Sequence, residues 1–135
     1  MANALYDKGR EGFLDGSINW STDNIKAVLV DTGAYTVSLG SNQNLSDIAG
    51  GARIATSANL SSKTVTGGVA DAADVTFTAV SGATVEAVVL YKDTGTASTS
   101  RLIAYIDTGT GLPITPNGGD IATAWSNGAN KIFKL

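Results

Sequence analysis

Asp-Thr-Gly occurs three times in this chain, at Asp31-Thr32-Gly33, Asp93-Thr94-Gly95 and Asp107-Thr108-Gly109. Each copy follows an apolar, β-prone run: AVLV, VVLYK and LIAYI. A carboxylate at the end of a buried strand becomes a reagent when a second one stands beside it. Like-charge repulsion then splits the two pKa values, and the pair shares one proton and activates water. The same tripeptide also serves as strand punctuation. Asp accepts hydrogen bonds from backbone N–H groups two residues on, Thr tolerates the strand end, and Gly supplies a positive φ.

The run Leu29-Val30-Asp31-Thr32-Gly33-Ala34 resembles the active-site segment of aspartic proteases. A chain of 135 residues would contribute one carboxylate, Asp31, and dimerise, as retroviral proteases do. Such enzymes brace their active-site loops with an apolar-apolar-Gly-Arg-Asp/Asn segment near the C-terminus, and none is present here. Asn117-Gly118-Gly119-Asp120 leads instead to a plain amphipathic strand. Three copies at three strand ends are expected of turns and are surplus for catalysis. The turn reading therefore stands first, with a homodimeric retropepsin-like protease using Asp31 as its enzymatic alternative.

Composition narrows the chemistry further. There is no histidine and no cysteine. Ser-His-Asp and Cys-His catalysis, histidine or thiolate metal sites and disulfides are thereby excluded. The net charge is −3, and the basic residues are scattered singly along the sequence. No stripe of Lys and Arg is set to neutralise phosphates, so no nucleic-acid partner is expected. Charged residues make up only 16% of the chain, and glycine contributes 16 residues. That balance suits an all-β extracellular or particle protein better than a cytosolic enzyme. No apolar run approaches the ~18 residues that span a bilayer, and the N-terminus has no secretory pattern, so no membrane partner is expected.

Three weaker candidates remain. Asp107, Asp120 and Asn117 carry oxygens suited to Ca²⁺, but a calcium loop's ligand spacing is missing. Gly50-Gly51-Ala52-Arg53 suggests an anion nest without the Lys-Ser/Thr of a phosphate loop. Trp20, Trp125 and Tyr91 would stack on sugars if exposed, whereas a chain only 7% aromatic needs such rings for its core. The expectation is accordingly no catalytic, cofactor-binding or metal-binding residue.

The elements that position these residues are short. Asn3 is placed to cap a helix over residues 4–14, with Leu5, Gly9, Gly12 and Phe13 on one face. Its two internal glycines each cost about 1 kcal/mol of helix propensity, so it must dock closely on a sheet. Asp15-Gly16-Ser17 ends it. Ile18 and Trp20 alternate with polar neighbours, Ile25–Val30 reads as a strand buried on both faces, and Tyr35, Val37 and Leu39 alternate again. Residues 45–49 form one helical turn stopped by Gly50-Gly51. Further strands fall at residues 52–60, 63–67, 69–70 and 75–80. The segments 86–92 and 101–107 pair across a polar loop at 93–100. Strands at 121–125 and 131–135 complete the set. Eight or nine short strands and one short helix indicate an all-β, jelly-roll-like β-sandwich over residues 1–135. Residues 1–16 are its helical segment and residues 131–135 a C-terminal edge strand.

Several segments together resemble a family of small tailed-bacteriophage structural proteins. They are Val89-Leu90-Tyr91-Lys92-Asp93-Thr94-Gly95, Ser100-Arg101-Leu102-Ile103-Ala104-Tyr105-Ile106-Asp107, and Leu112-Pro113-Ile114-Thr115-Pro116-Asn117-Gly118-Gly119-Asp120. Asn127-Gly128-Ala129-Asn130-Lys131-Ile132-Phe133, Ala4-Leu5-Tyr6-Asp7-Lys8-Gly9-Arg10 and Asp23-Asn24-Ile25-Lys26-Ala27 fit as well. Similarity to capsid decoration (cement) proteins of jelly-roll fold implies a non-enzymatic protein on the capsid surface of the virion, assembled in the host cytoplasm. The resemblance implies the major capsid protein and further copies of the chain, as dimer or trimer, as partners. It carries over no functional residue. A tail, neck or fibre component binding host carbohydrate is the alternative within the same biology.

Overall fold

The computed structural model describes residues 4–108, 112–126, 128–129 and 131–135. Its organising element is β2 (Ile25–Val30), where five of six residues are buried, so both faces of the strand must be covered. Pairing runs along the whole of one edge and over Val28–Val30 of the other, where the Ser57 and Leu60 N–H groups also bond the Ala27 and Ile25 carbonyls. β2 lies between β3 (Arg53–Thr56) and β7 (Ala87–Lys92), and β7 in turn pairs with β8 (Leu102–Ile106). A two-residue strand, β1 (Ala4–Leu5), closes the sheet in the order β1-β8-β7-β2-β3. Two smaller sheets accompany it. One is β10-β5-β4, made of β4 (Thr64–Thr66), β5 (Val69–Asp71) and β10 (Phe133–Lys134); the other pairs β6 (Val75–Phe77) with β9 (Ile121–Thr123). Every pairing is antiparallel. The fold is all-β and sandwich-like.

Alternation along the central strands divides the core in two. Ile25, Ala27 and Leu29 of β2, with Val88 and Leu90 of β7, pack under Trp20, Leu60, Phe77, Ile121 and Trp125. Val28 and Val30, with Ala87, Val89 and Tyr91, face the opposite way into Tyr6, Tyr35, Leu45 and Ile48. The small sheets thus roof the first face, while the segment 35–52 roofs the second.

The helix α1 spans Asp7–Asp15, later than expected, with Tyr6 at its N-cap and no side-chain cap. The expected cap, Asn3, lies outside the described residues. Leu5 belongs to β1 and not to the helix, because its backbone pairs with Ala104. The close docking of α1 is present: a Cβ built on Gly9 would stand 2.8 Å from the Leu102 carbonyl oxygen and 2.9 Å from the Ile103 Cα. Gly16, at φ 81°, ends the helix.

Two expected strands are not strands. Ile18 and Trp20 are buried, but Asn19 Oδ1 accepts the Ser21 N–H (3.0 Å) and Asp23 Oδ2 accepts the Asn19 N–H (2.7 Å), which folds the segment into turns. Tyr35, Val37 and Leu39 face inward as their alternation implies, yet the segment forms no strand: the Ser38 N–H donates to Asn42 Oδ1 (2.9 Å) and the Leu39 carbonyl accepts the Asp7 N–H (2.9 Å). Nor do Gly50-Gly51 simply stop the 3₁₀ turn at Leu45–Asp47. They form a second one, Gly50–Ala52.

Candidate functional site

The first two Asp-Thr-Gly copies are built as turns. Asp31 Oδ1 accepts the Gly33 N–H at 2.8 Å, and Asp93 Oδ1 accepts the Gly95 N–H at 3.1 Å. That bond, followed by the Lys26 ammonium 3.0 Å away, holds the Asp93 carboxyl below the usual carboxylate range. The glycines differ: Gly95 has φ 86°, whereas Gly33 lies outside the left-handed region. The expectation of a positive φ at both is corrected, since the Asp31 carboxylate closes its turn without it. The third copy ends in Gly109, outside the described residues.

The carboxylates that share a recess are one expected residue, Asp107, and one unexpected, Glu86. Thr32, Glu86, Tyr105, Asp107, Leu112 and Pro113 line a depression of about 310 Å³ that Asp31 does not enter. Thr32 donates to Glu86 Oε1 from its backbone N–H (3.1 Å) and its hydroxyl (3.0 Å). The Asp-Thr-Gly threonine therefore anchors Glu86, and Asp31 faces its own turn. Burial pushes the Tyr105 hydroxyl above its ordinary pKa, and the Asp107 and Glu86 charges push it further.

Asn117 Oδ1 accepts the Gly119 N–H (2.9 Å) and Asp120 Oδ1 accepts the Ala79 N–H (2.9 Å), so both oxygens serve a turn laced to Ala79 and Val80. Among the described residues no group of three or more Asp or Glu gathers for a metal ion. Arg53 donates from its Nε to the Ile48 carbonyl (3.0 Å), so part of its guanidinium is engaged within its own segment.

The three aromatics considered for sugar stacking are core. Trp20, Trp125 and Tyr91 are 5%, 7% and 3% exposed. Both indoles hold one segment: Trp20 Nε1 donates to the Asp71 carbonyl (3.1 Å) and Trp125 Nε1 to the Ala73 carbonyl (2.9 Å). Buried indole N–H groups require such acceptors, so these contacts are structural.

Sequence reasoning did not single out Glu86 or Tyr105. Thr32 and Glu86 are far apart in the chain, and only the β2–β7 register brings them together, with Val30 opposite Ala87. No helix among the described residues is long and apolar enough to cross a membrane. The chain matches no protein-family model and no curated protein.

Proposed function

We propose that this chain is a non-enzymatic virion structural protein: a jelly-roll-like cement that decorates a tailed-phage capsid and stabilises it through contacts with the major capsid protein and with further copies of itself. One observation carries the reading most directly. The Asp31 carboxylate is held in its own turn and the Asp93 carboxylate between its turn and Lys26, while large apolar side chains stand in solvent on α1, on β4 and just after β10. Leu14 is 88% exposed, Val65 57% and Leu135 60%. Val65 and Leu135 border one apolar depression with Phe13, Trp20 and Phe133, and contiguous apolar surface of this kind marks contact sites. Repeated over many copies on a particle, weak contacts add to strong retention by avidity. The phage-like segments quoted above support the same reading.

The direct test is co-sedimentation with expanded, empty capsids. Saturable, stoichiometric pelleting is expected, and it should weaken in Leu14→Asp, Val65→Asp or Leu135→Asp variants, whose side chains are solvent-exposed and whose folding should survive. Protein that stays in the supernatant at every concentration would overturn the proposal.

A further inference from the structure

Two sheets end at one place. β1 is the terminal strand of the central sheet and β10 the terminal strand of the three-stranded sheet, so each presents an edge that no strand pairs among the described residues. Ala4 and Leu5 of the first, and Phe133 and Lys134 of the second, line a common groove of about 370 Å³. Arg10, Lys131 and Lys134 stand along it, and no carboxylate lines it among the described residues. Scattered singly in the sequence, three of the nine basic residues converge here, in a chain whose net charge is −3.

The cations are not equivalent. Arg10 is shared with Asp7 (3.2 Å) and reaches the Leu5 carbonyl (3.4 Å), which covers part of the β1 edge. Lys131 and Lys134 make no ion pair among the described residues. Lys131 also adopts φ 46°, a left-handed conformation that glycine takes freely and a side-chain-bearing residue takes at a cost. Such local strain persists where the surrounding structure imposes it, and it concentrates at functional positions. Lys131, with no ion pair among the described residues, lines the groove beside β10.

We infer that this groove docks an acidic, extended segment of a partner protein. The segment adds to the β10 edge by backbone hydrogen bonds. Its apolar side chains settle between Leu5 and Phe133, and its carboxylates meet Lys131 and Lys134. Two such cations are too few to track a phosphate backbone, and a lining that mixes Leu5, Ile132 and Phe133 with Lys131 and Lys134 suits alternating apolar and acidic side chains better. The inference rests on the groove's geometry and charge and not on the virion reading, so it survives or fails independently of capsid pelleting.

Fluorescence anisotropy on the full chain tests it, with a short labelled peptide alternating Glu and Val as probe. A peptide with Lys in place of Glu and a single-stranded oligothymidylate serve as competing probes. The Glu-Val peptide should bind saturably and more weakly as salt rises. Lys131→Gly combined with Lys134→Ser should weaken it about fivefold or more, as expected for two lost charge pairs. The thermal midpoint should not fall, since glycine relieves the strain at position 131. The inference is overturned by no saturable binding, by equal binding to the double variant, or by tighter binding of either competing probe. It is also overturned if sedimentation shows a wild-type dimer that the double variant dissolves, because a second copy would then be the occupant.

Discussion

Gly33 and Gly95 hold the same place in the same tripeptide under different constraints. Each N–H is bound by the aspartate two residues before it, at 2.8 and 3.1 Å. Only Gly95 needs a left-handed backbone, at φ 86°. A Cβ on Gly33 would meet only the Asp31 carboxyl group, nearest at Oδ1 (3.0 Å), which can give by a few tenths of an ångström while keeping its bond to the Gly33 N–H. Gly95→Ala should therefore cost about 1–2 kcal/mol in urea denaturation, with Gly33→Ala costing less than half as much. Equal costs would mean the two turns are alike after all. The residue types and spacing reveal that a turn closes at each motif. They do not reveal which glycine is indispensable, because the aspartate bond forms with either sign of φ.

At the scale of elements, the helix α1 and the strands it touches decide what glycine means. In an exposed helix Gly→Ala stabilises by about 1 kcal/mol. At Gly9 the new methyl would press on the backbone of Leu102 and Ile103, which has no rotamer to yield. Gly9→Ala should thus destabilise by about 1–3 kcal/mol despite its helix propensity, as an overpacked contact does. Calorimetric melting of the single variant checks the sign, and a raised midpoint would show that α1 stands off from β8. The close approach was legible from two glycines in a nine-residue helix. The strands at Ile25–Val30, Ala87–Lys92 and Leu102–Ile106 were legible because their apolar runs admit no exposed face. The segment holding Tyr35, Val37 and Leu39 forms no strand because alternation reports only which side is buried, and here Asn42 Oδ1 takes the Ser38 N–H that a ladder would use. Neither the Glu86 recess nor the basic groove could be read locally, since each is assembled from segments distant in the chain.

For the molecule as a whole, both faces of the central sheet are core, and all four tyrosines fall on one of them. Tyr35 donates its single proton to Asn42 Oδ1 (2.7 Å), so Tyr6 must donate to Tyr35 across the 2.8 Å contact between their hydroxyls. This relay straps residues 35–42 over the sheet. Burial, the largest cause at each, raises the pKa of Tyr6, Tyr35, Tyr91 and Tyr105. The sign of the linkage follows. The neutral form is favoured in the fold, so this contribution is complete below the unfolded value of about 10 and is lost above it, as unfolded tyrosines ionise first. Stability measured from about pH 8 to about pH 11.5 should hold and then fall, by up to about 1.4 kcal/mol per pH unit for each tyrosine. Tyr6→Phe should make that fall shallower. A flat profile would show the second core to be open to hydroxide.

The order of the central sheet also fixes when the protein can come into being. β2 is synthesised early but completes its pairing only with β7, and β1 waits for β8, since Ala4 stands opposite Tyr105. A ribosome therefore releases most of the chain before the sheet can close. Its folding is dominated by long-range encounters, which places it among slow-folding domains. Until then the apolar run of β2 lies exposed, so the newly made protein passes through its most aggregation-prone state just before it becomes one of its most buried.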